Sequence, residues 1–383
     1  AAAAAAADTS AAAGSAATTD TPALDVDKKG PSIRRRSTLY RFFLAYEFTT
    51  EAHDRSIFLA KHRMHTDQPC TMADSAQALA VDVHDLSYQF GPQAANALER
   101  CTLRLQPGAR CLLIGANGAG KSTLLRLLAG KRLADANIKV FGQDVFRSPP
   151  RGITYLGTEW AMNPVVRSDI TVSYFLDSVG GFRHAERRDR LLDLLDVDLS
   201  WRMHAISDGE RRRVQLCMGL MEPYRLLLLD EVTVDLDVQV RCDLLDFLKE
   251  ESEQRGATIV YATHIFDGIH QFPTDIVHIQ LGRTVSDVPL PWPIRLTPEL
   301  PEAVYTVLPQ SLRESIATGH APTHELSLLD LALAWLREDR VLREQQERAR
   351  GIKRGRALRG PDEETTDAKK FFRQYDYCTN YTR

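Results

Sequence analysis

Gly115-Ala116-Asn117-Gly118-Ala119-Gly120-Lys121-Ser122 is the stretch on which the fold turns. It matches G-x-x-x-x-G-K-[ST], follows an apolar run at residues 111–114, and leads into Leu124, Leu125, Leu127 and Leu128. Strand, glycine-rich loop and helix in that order form a phosphate cradle. The glycines let backbone N–H groups close around phosphate oxygens, and the positive end of the following helix adds to the attraction. In such a loop Lys121 reaches the β- and γ-phosphates, and Ser122 offers its hydroxyl to Mg²⁺, with Thr123 beside it. ATP with Mg²⁺ is the expected ligand.

Working outward, the next signal is Leu226-Leu227-Leu228-Leu229-Asp230-Glu231. An apolar strand that ends in two carboxylates delivers them to the sheet edge where ligands of α/β folds bind. Asp230 is placed to hold the Mg²⁺ shell and Glu231 to polarise an attacking water. Between the two motifs lies Ile206-Ser207-Asp208-Gly209-Glu210, followed by an arginine run and by Val214, Cys217, Met218 and Met221 at helical spacing. Ser207 suits the cap of that helix, and Gly209 allows an anion to approach the backbone closely. Taken alone, the segment reads equally as a capped surface helix.

The wider pattern alternates strands with helices, which implies a parallel sheet covered on both faces. Val81, Val83, Leu86, Tyr88 and Phe90 suggest a strand, residues 258–262 another, and residues 276–285 a closing hairpin around Gly282. Three divisions follow: a low-complexity, disordered leader at 1–79, an ATPase domain at 80–290, and a helical extension with a tail at 291–383. The leader holds a basic, aromatic segment at 33–48. Pro291, Pro293, Pro298 and Pro301 read as a linker, after which Leu326, Leu329, Leu333 and Leu336 fall on one helical face. That helix runs into Arg343, Arg348, Arg350, Lys353 and further basic residues, and an aromatic stretch at 371–377 closes the chain.

Taken together, the motifs resemble those of ABC ATPases. The family signature is commonly L-S-G-G-Q, and Asp208 and Glu210 depart from it. The resemblance implies a P-loop NTPase of the α/β class: a RecA-like core, an antiparallel β subdomain, a helical signature subdomain, and here a C-terminal helical extension. It implies nucleotide contacts from Ser207, Gly209 and Glu210, a D-loop at Val234-Asp235-Leu236-Asp237 in which Asp237 faces the nucleotide, and a switch histidine at His264. Phe90, with Tyr88 as the alternative, stands where the family stacks an aromatic on adenine. Where most members carry a Mg²⁺-binding glutamine, this chain reads Gly157-Thr158-Glu159-Trp160. Glu159 is the candidate substitute, Thr158 takes the aligned position, and slow hydrolysis is expected. The runs at 155–160, 207–216 and 230–237 resemble more narrowly a small eukaryotic group of soluble, unfused ABC ATPases, the fungal CCR-NOT-associated factor and its plant relatives in ABC subfamily I. That likeness implies association with CCR-NOT, and the family's sites, shared between the loop of one subunit and the signature of another, imply an ATP-dependent homodimer for a chain with one of each.

Composition bounds these readings. Of 383 residues 44% are hydrophobic, enough for a sizeable core, and the formal net charge of -3 gives no whole-surface attraction to nucleic acid. No stretch reaches the ~18–20 apolar residues of a membrane-spanning helix, so transport by this polypeptide alone is not expected. The six cysteines show no metal-ligand or C-x-x-C spacing, which fits reduced thiols in the cytoplasm or nucleus. Two other readings compete with a regulatory ATPase. One is a detached ATPase subunit for a transporter with separate membrane chains. The other is a nucleic-acid scaffold using the basic C-terminal helix, which Glu338, Asp339, Glu344 and Glu347 dilute.

Overall fold

A computed structural model describes residues 78–92, 94–158, 160, 164–295, 300–318 and 325–351. The leader up to residue 77, Glu159, and the basic and aromatic tail beyond residue 351 lie outside the described residues.

Five parallel strands carry the core: β3 (Arg110–Ile114), β6 (Ile153–Leu156), β7 (Leu226–Asp230), β8 (Thr258–Ala262) and β9 (Asp275–Gln280). Their order across the sheet is β9-β3-β8-β7-β6. All five residues of β3, β7 and β8 are buried, as expected of strands covered on both faces. Two short antiparallel strands finish the edge, β10 (Arg283–Thr284) and β11 (Leu290–Pro291), both paired to β9. A second, antiparallel sheet has the order β2-β1-β4-β5, built from β1 (Val81–Gln89), β2 (Asn96–Leu105), β4 (Ile138–Val140) and β5 (Gln143–Asp144).

Alternate side chains of the parallel strands enter two separate apolar cores. Cys111, Leu113, Val277 and Ile279 join Leu124 and Leu128 of α1 (Lys121–Leu128) and the inner face of the antiparallel sheet. Leu112, Ile114 and Ile276 join the helices of the opposite face. Those are α2 (Val172–Ser178), α3 (Ala185–Leu194), α4 (Asp208–Met221) and α5 (Val238–Arg255). The α3–α5 contact is fixed by Arg187, which donates to both oxygens of the buried Glu251 at 2.7 and 2.5 Å. A two-bond Arg–carboxylate fork of this kind sets geometry as well as energy.

The C-terminal part consists of α6 (Glu302–Val307), α7 (Gln310–Ala317) and α8 (Leu328–Ala349). It corrects two expectations. The proline-rich connection is not a loose linker at its start, because β11 extends the sheet, and Trp292 and Ile294 are buried in the main core. The buried face of α8 is Leu328, Leu331, Ala332, Trp335 and Asp339, while Leu329 and Leu333 are exposed. Leu326 is buried but precedes the helix, capped by Ser327. Through Leu331 and Trp335 the helix belongs to the same core as α4 and α5. Among the described residues no helix is long and apolar enough to cross a membrane.

Candidate functional site

The glycine loop leaves β3 at Gly115, and α1 starts at Lys121. Two glycines are dictated by space as well as by dihedral freedom. A Cβ on Gly115 would sit 2.3 Å from the carbonyl oxygen of Ile279. Gly120, at φ +103, would place a Cβ 2.6 Å from Leu98 and 2.8 Å from the Ala97 oxygen, so only glycine fits. Gly118, at φ +81, faces open space. Ala119 is buried, and its N–H closes the turn onto the Ala116 oxygen at 3.0 Å. Thr123 is buried in the first turn of α1.

Lys121 is 5% exposed and folds its Nζ back onto the carbonyls of Gly115 (2.7 Å) and Ala116 (3.2 Å). Burial pushes its ammonium below the ordinary value, while Glu231, Asp230 and Asp339 act in the opposite direction. The Ser122 hydroxyl donates to Asp230 Oδ1 at 2.9 Å. Asp230 also accepts from the Tyr155 hydroxyl at 3.1 Å, and Arg126 Nε donates to that hydroxyl at 3.4 Å. Burial drives the Asp230 carboxyl above its ordinary value despite these hydrogen bonds. Tyr155 and Arg126 were not assigned from sequence. The only signal would have been a tyrosine on the strand beside β7, in register with Leu228.

One step beyond β7, Glu231 takes a left-handed backbone at φ 53. A side-chain-bearing residue rarely sits there unless its surroundings hold it. Here the Glu231 N–H is anchored to the Ala262 oxygen at 2.9 Å. The turn brings its carboxylate to His264, Oε1 to Nδ1 3.4 Å, with both side chains partly open to solvent.

Ser207 caps α4: its Oγ accepts from Glu210 N at 3.2 Å, and Glu210 Oε2 accepts from Ser207 N at 2.8 Å. This reciprocal pair is a capping box. It explains the glutamate, because its carboxylate satisfies a helix-end N–H, and that bond holds it below the usual carboxylate range. Asp208 ion-pairs with Arg211 and lies 3.8 Å from Arg167. Gly209 packs on the following loop, where a Cβ would stand 3.0 Å from the Asp235 oxygen.

Asp237 caps α5, with Oδ1 accepting from Val240 N at 3.0 Å and Oδ2 from Arg213 at 3.1 Å. Facing a nucleotide would require it to exchange those partners. Phe90 is 56% exposed just past β1, edge-on to Tyr88 at 5.4 Å, with the Arg132 guanidinium 5.0 Å from its ring centre. Tyr88 instead packs against the core. Glu159 lies outside the described residues, but Gly157, two residues before it, is held fast. The Gly157 carbonyl accepts from Arg212 (3.1 Å) and Gln215 (2.9 Å), two buried residues of α4. The segment after β6 is thereby tied to the signature helix.

A family model described as ABC transporter matches residues 98–234. The chain is 45% identical over 227 residues to CCR4-associated factor 16 of Saccharomyces cerevisiae, spanning 55% of this chain and 78% of that protein. It is 44% identical over 213 residues to ABC transporter I family member 20 of Arabidopsis thaliana, spanning 52% of this chain and 64% of that one. For family member 21 of the same plant the identity is 48% over 192 residues, with 47% and 68% spanned. A glycine loop on β3, carboxylates at the end of β7 and a capped signature helix, together with this likeness, show that the chain belongs to the ABC ATPase family.

Proposed function

We propose that the chain binds ATP with Mg²⁺ on the glycine loop and hydrolyses it at a site completed by a second copy of itself. The observation that carries this reading is the convergence at the ends of β3, β7 and β8. Ser122 meets Asp230 at 2.9 Å, and Glu231 meets His264 at 3.4 Å, beside the buried Lys121. Ser122 and Asp230 offer two hard oxygens, the donor type Mg²⁺ prefers, which fits an ion that takes its other ligands from phosphate and water. When bound, that ion neutralises charge on the phosphate oxygens. Lys121 then exchanges the Gly115 and Ala116 carbonyls for phosphate. Glu231 takes the proton of an attacking water, and His264 orients that carboxylate.

The chain contains one glycine loop and one Ser207-Asp208-Gly209-Glu210 segment. In the family, each nucleotide lies between the loop of one subunit and the signature of another, so two copies complete two sites. With Ser207 and Glu210 already bonded to each other, the second copy meets a rigid, preformed helix end. The name of the yeast relative, a CCR4-associated factor, supports association with the CCR-NOT assembly; the regulatory role, and its place in the cytoplasm or nucleus, rest on that association.

ATP turnover by Glu231→Gln tests the chemistry. Loss of the base should lower kcat by roughly 10²–10⁴-fold while ATP binding persists; an unchanged rate would remove Glu231 from the mechanism. Proteins co-purifying with the ATP-trapped variant test the output. Enrichment of CCR-NOT subunits supports the regulatory reading, and polytopic membrane proteins would make the chain a transporter subunit instead.

A further inference from the structure

The C-terminal helix is joined to the nucleotide site through β9. Asp339 of α8 is 1% exposed, accepts from Gln280 Nε2 at 2.7 Å, and lies 3.0 Å from His278 Nε2. The His278 ring stacks on Trp335 at 4.6 Å. A buried carboxylate with two polar partners on one neighbouring strand sets the position of a helix far more sharply than apolar contact does. That strand is the one that braces the glycine loop. His278 is in register with Ile114, and the Ile279 carbonyl fills the space where a Cβ of Gly115 would be.

Beyond Asp339, the last turns of α8 form one wall of a cleft of about 850 Å³. Ala94–Ala97 at the start of β2 form another part of its lining, and Gly118 of the glycine loop reaches into it. Leu342, Arg343 and Gln346 of α8, and Arg350 at its C-terminal cap, line the cleft at three- and four-residue spacing. Arg343 Nε is buried without a hydrogen-bond partner, and Glu347 Oε1 is 3.9 Å from it. Arg283 and Glu99, across the cleft, neutralise each other as an ion pair. The walls thus mix donors and acceptors, which suits hydroxyl groups better than a second phosphate. The place along the chain agrees. Phe90, which the family resemblance assigns to the base, and Ala94 and Ala95 belong to the connection between β1 and β2, Asn96 and Ala97 open β2, and Gly118 belongs to the loop proposed for the phosphates. The sugar lies between base and phosphates.

We propose that α8 is part of the nucleotide site: Arg343 and Gln346 donate hydrogen bonds to the ribose hydroxyls, and Asp339 is the positioning residue that holds the helix there. The inference rests on the reading of residues 115–122 as an ATP site, and its test separates the two. Binding of ATP and of 2′,3′-dideoxy-ATP is measured by titration calorimetry on the full chain, for wild type, the double variant Arg343→Ala/Gln346→Ala, Asp339→Asn and Lys121→Ala. Wild type should prefer ATP by about tenfold, the size expected of one or two hydrogen bonds. The double variant should lose that preference through weaker ATP binding, with dideoxy-ATP unaffected. Asp339→Asn should erode the same preference without touching the sugar, an effect a merely structural role would not produce. An unchanged preference in the double variant, with Lys121→Ala still abolishing ATP binding, would overturn the inference and leave the ATP site standing. Undiminished ATP binding by Lys121→Ala would overturn the ATP site, and the inference with it.

Discussion

Asp230 sits 4% exposed at the end of an apolar strand, and burial pushes its carboxyl above the ordinary 3.8 even though Ser122 and Tyr155 donate to it. A raised pKa in the folded state means that folding favours the protonated form. The associated stability is present at low pH and is lost as pH rises through the folded value, so the ionised group is a burden on the nucleotide-free protein. Asp230→Asn should therefore raise the melting temperature, by about 2–4 °C if it recovers near 1 kcal/mol, while turnover collapses for want of an ion ligand. A fall in melting temperature would show that the Ser122 and Tyr155 bonds outweigh the charge. Glu231 displays the same tension in its backbone, a left-handed turn that places the carboxylate against His264. Function at this site is held by the anchoring bond to Ala262 rather than by local preference.

At the scale of elements, α4 carries a sharper test of the altered signature. Ser207→Ala removes one side of the capping box and should cost about 1 kcal/mol in a denaturant titration. Glu210→Gln preserves the cap, since glutamine serves in the box as well, but removes a charge from the end expected to face the partner's nucleotide. It should leave stability within about 0.5 kcal/mol and tighten ATP-dependent self-association, whereas unchanged association would place Glu210 away from the bound phosphates. Much of this architecture was legible in the sequence because its signals are local. The buried runs at 111–114, 226–229 and 259–262 are apolar throughout, with Arg110, Asp230 and Thr258 only at the strand ends, and the glycine loop is fixed by its own spacing. The buried face of α8 was misplaced because it contains Asp339, whose burial depends on His278 and Gln280 some sixty residues earlier. Tyr155 escaped assignment for the same reason: its partner Asp230 meets it only once β6 and β7 pair. Glu210 read as a departure from the signature because the family pattern was set against it, although Ser207 and Glu210 stand at the spacing of a capping box.

The described residues form two apolar cores separated by one sheet, and α8 completes the larger of them. Trp335, 1% exposed, packs there, donates Nε1 to the Val307 carbonyl and stacks on His278. Trp335→Ala should cost about 3–5 kcal/mol in equilibrium unfolding; a loss below 1 kcal/mol would mean that the C-terminal helices fold apart from the ATPase core. Burial also raises the thiols of Cys101 and Cys217 to about 12. Both should resist alkylation at pH 8 in the native protein, with the exposed Cys242 reacting first among the described cysteines, as peptide mapping of the modified chain would show. The proposed self-association belongs to this scale, since one chain carries a single loop and a single signature. Sedimentation equilibrium of Glu231→Gln, with and without ATP and Mg²⁺ at micromolar protein, tests the central claim most directly. The composite-site account predicts a monomer without nucleotide and a stable dimer with it. A variant that stays monomeric while saturated with ATP would contradict the account.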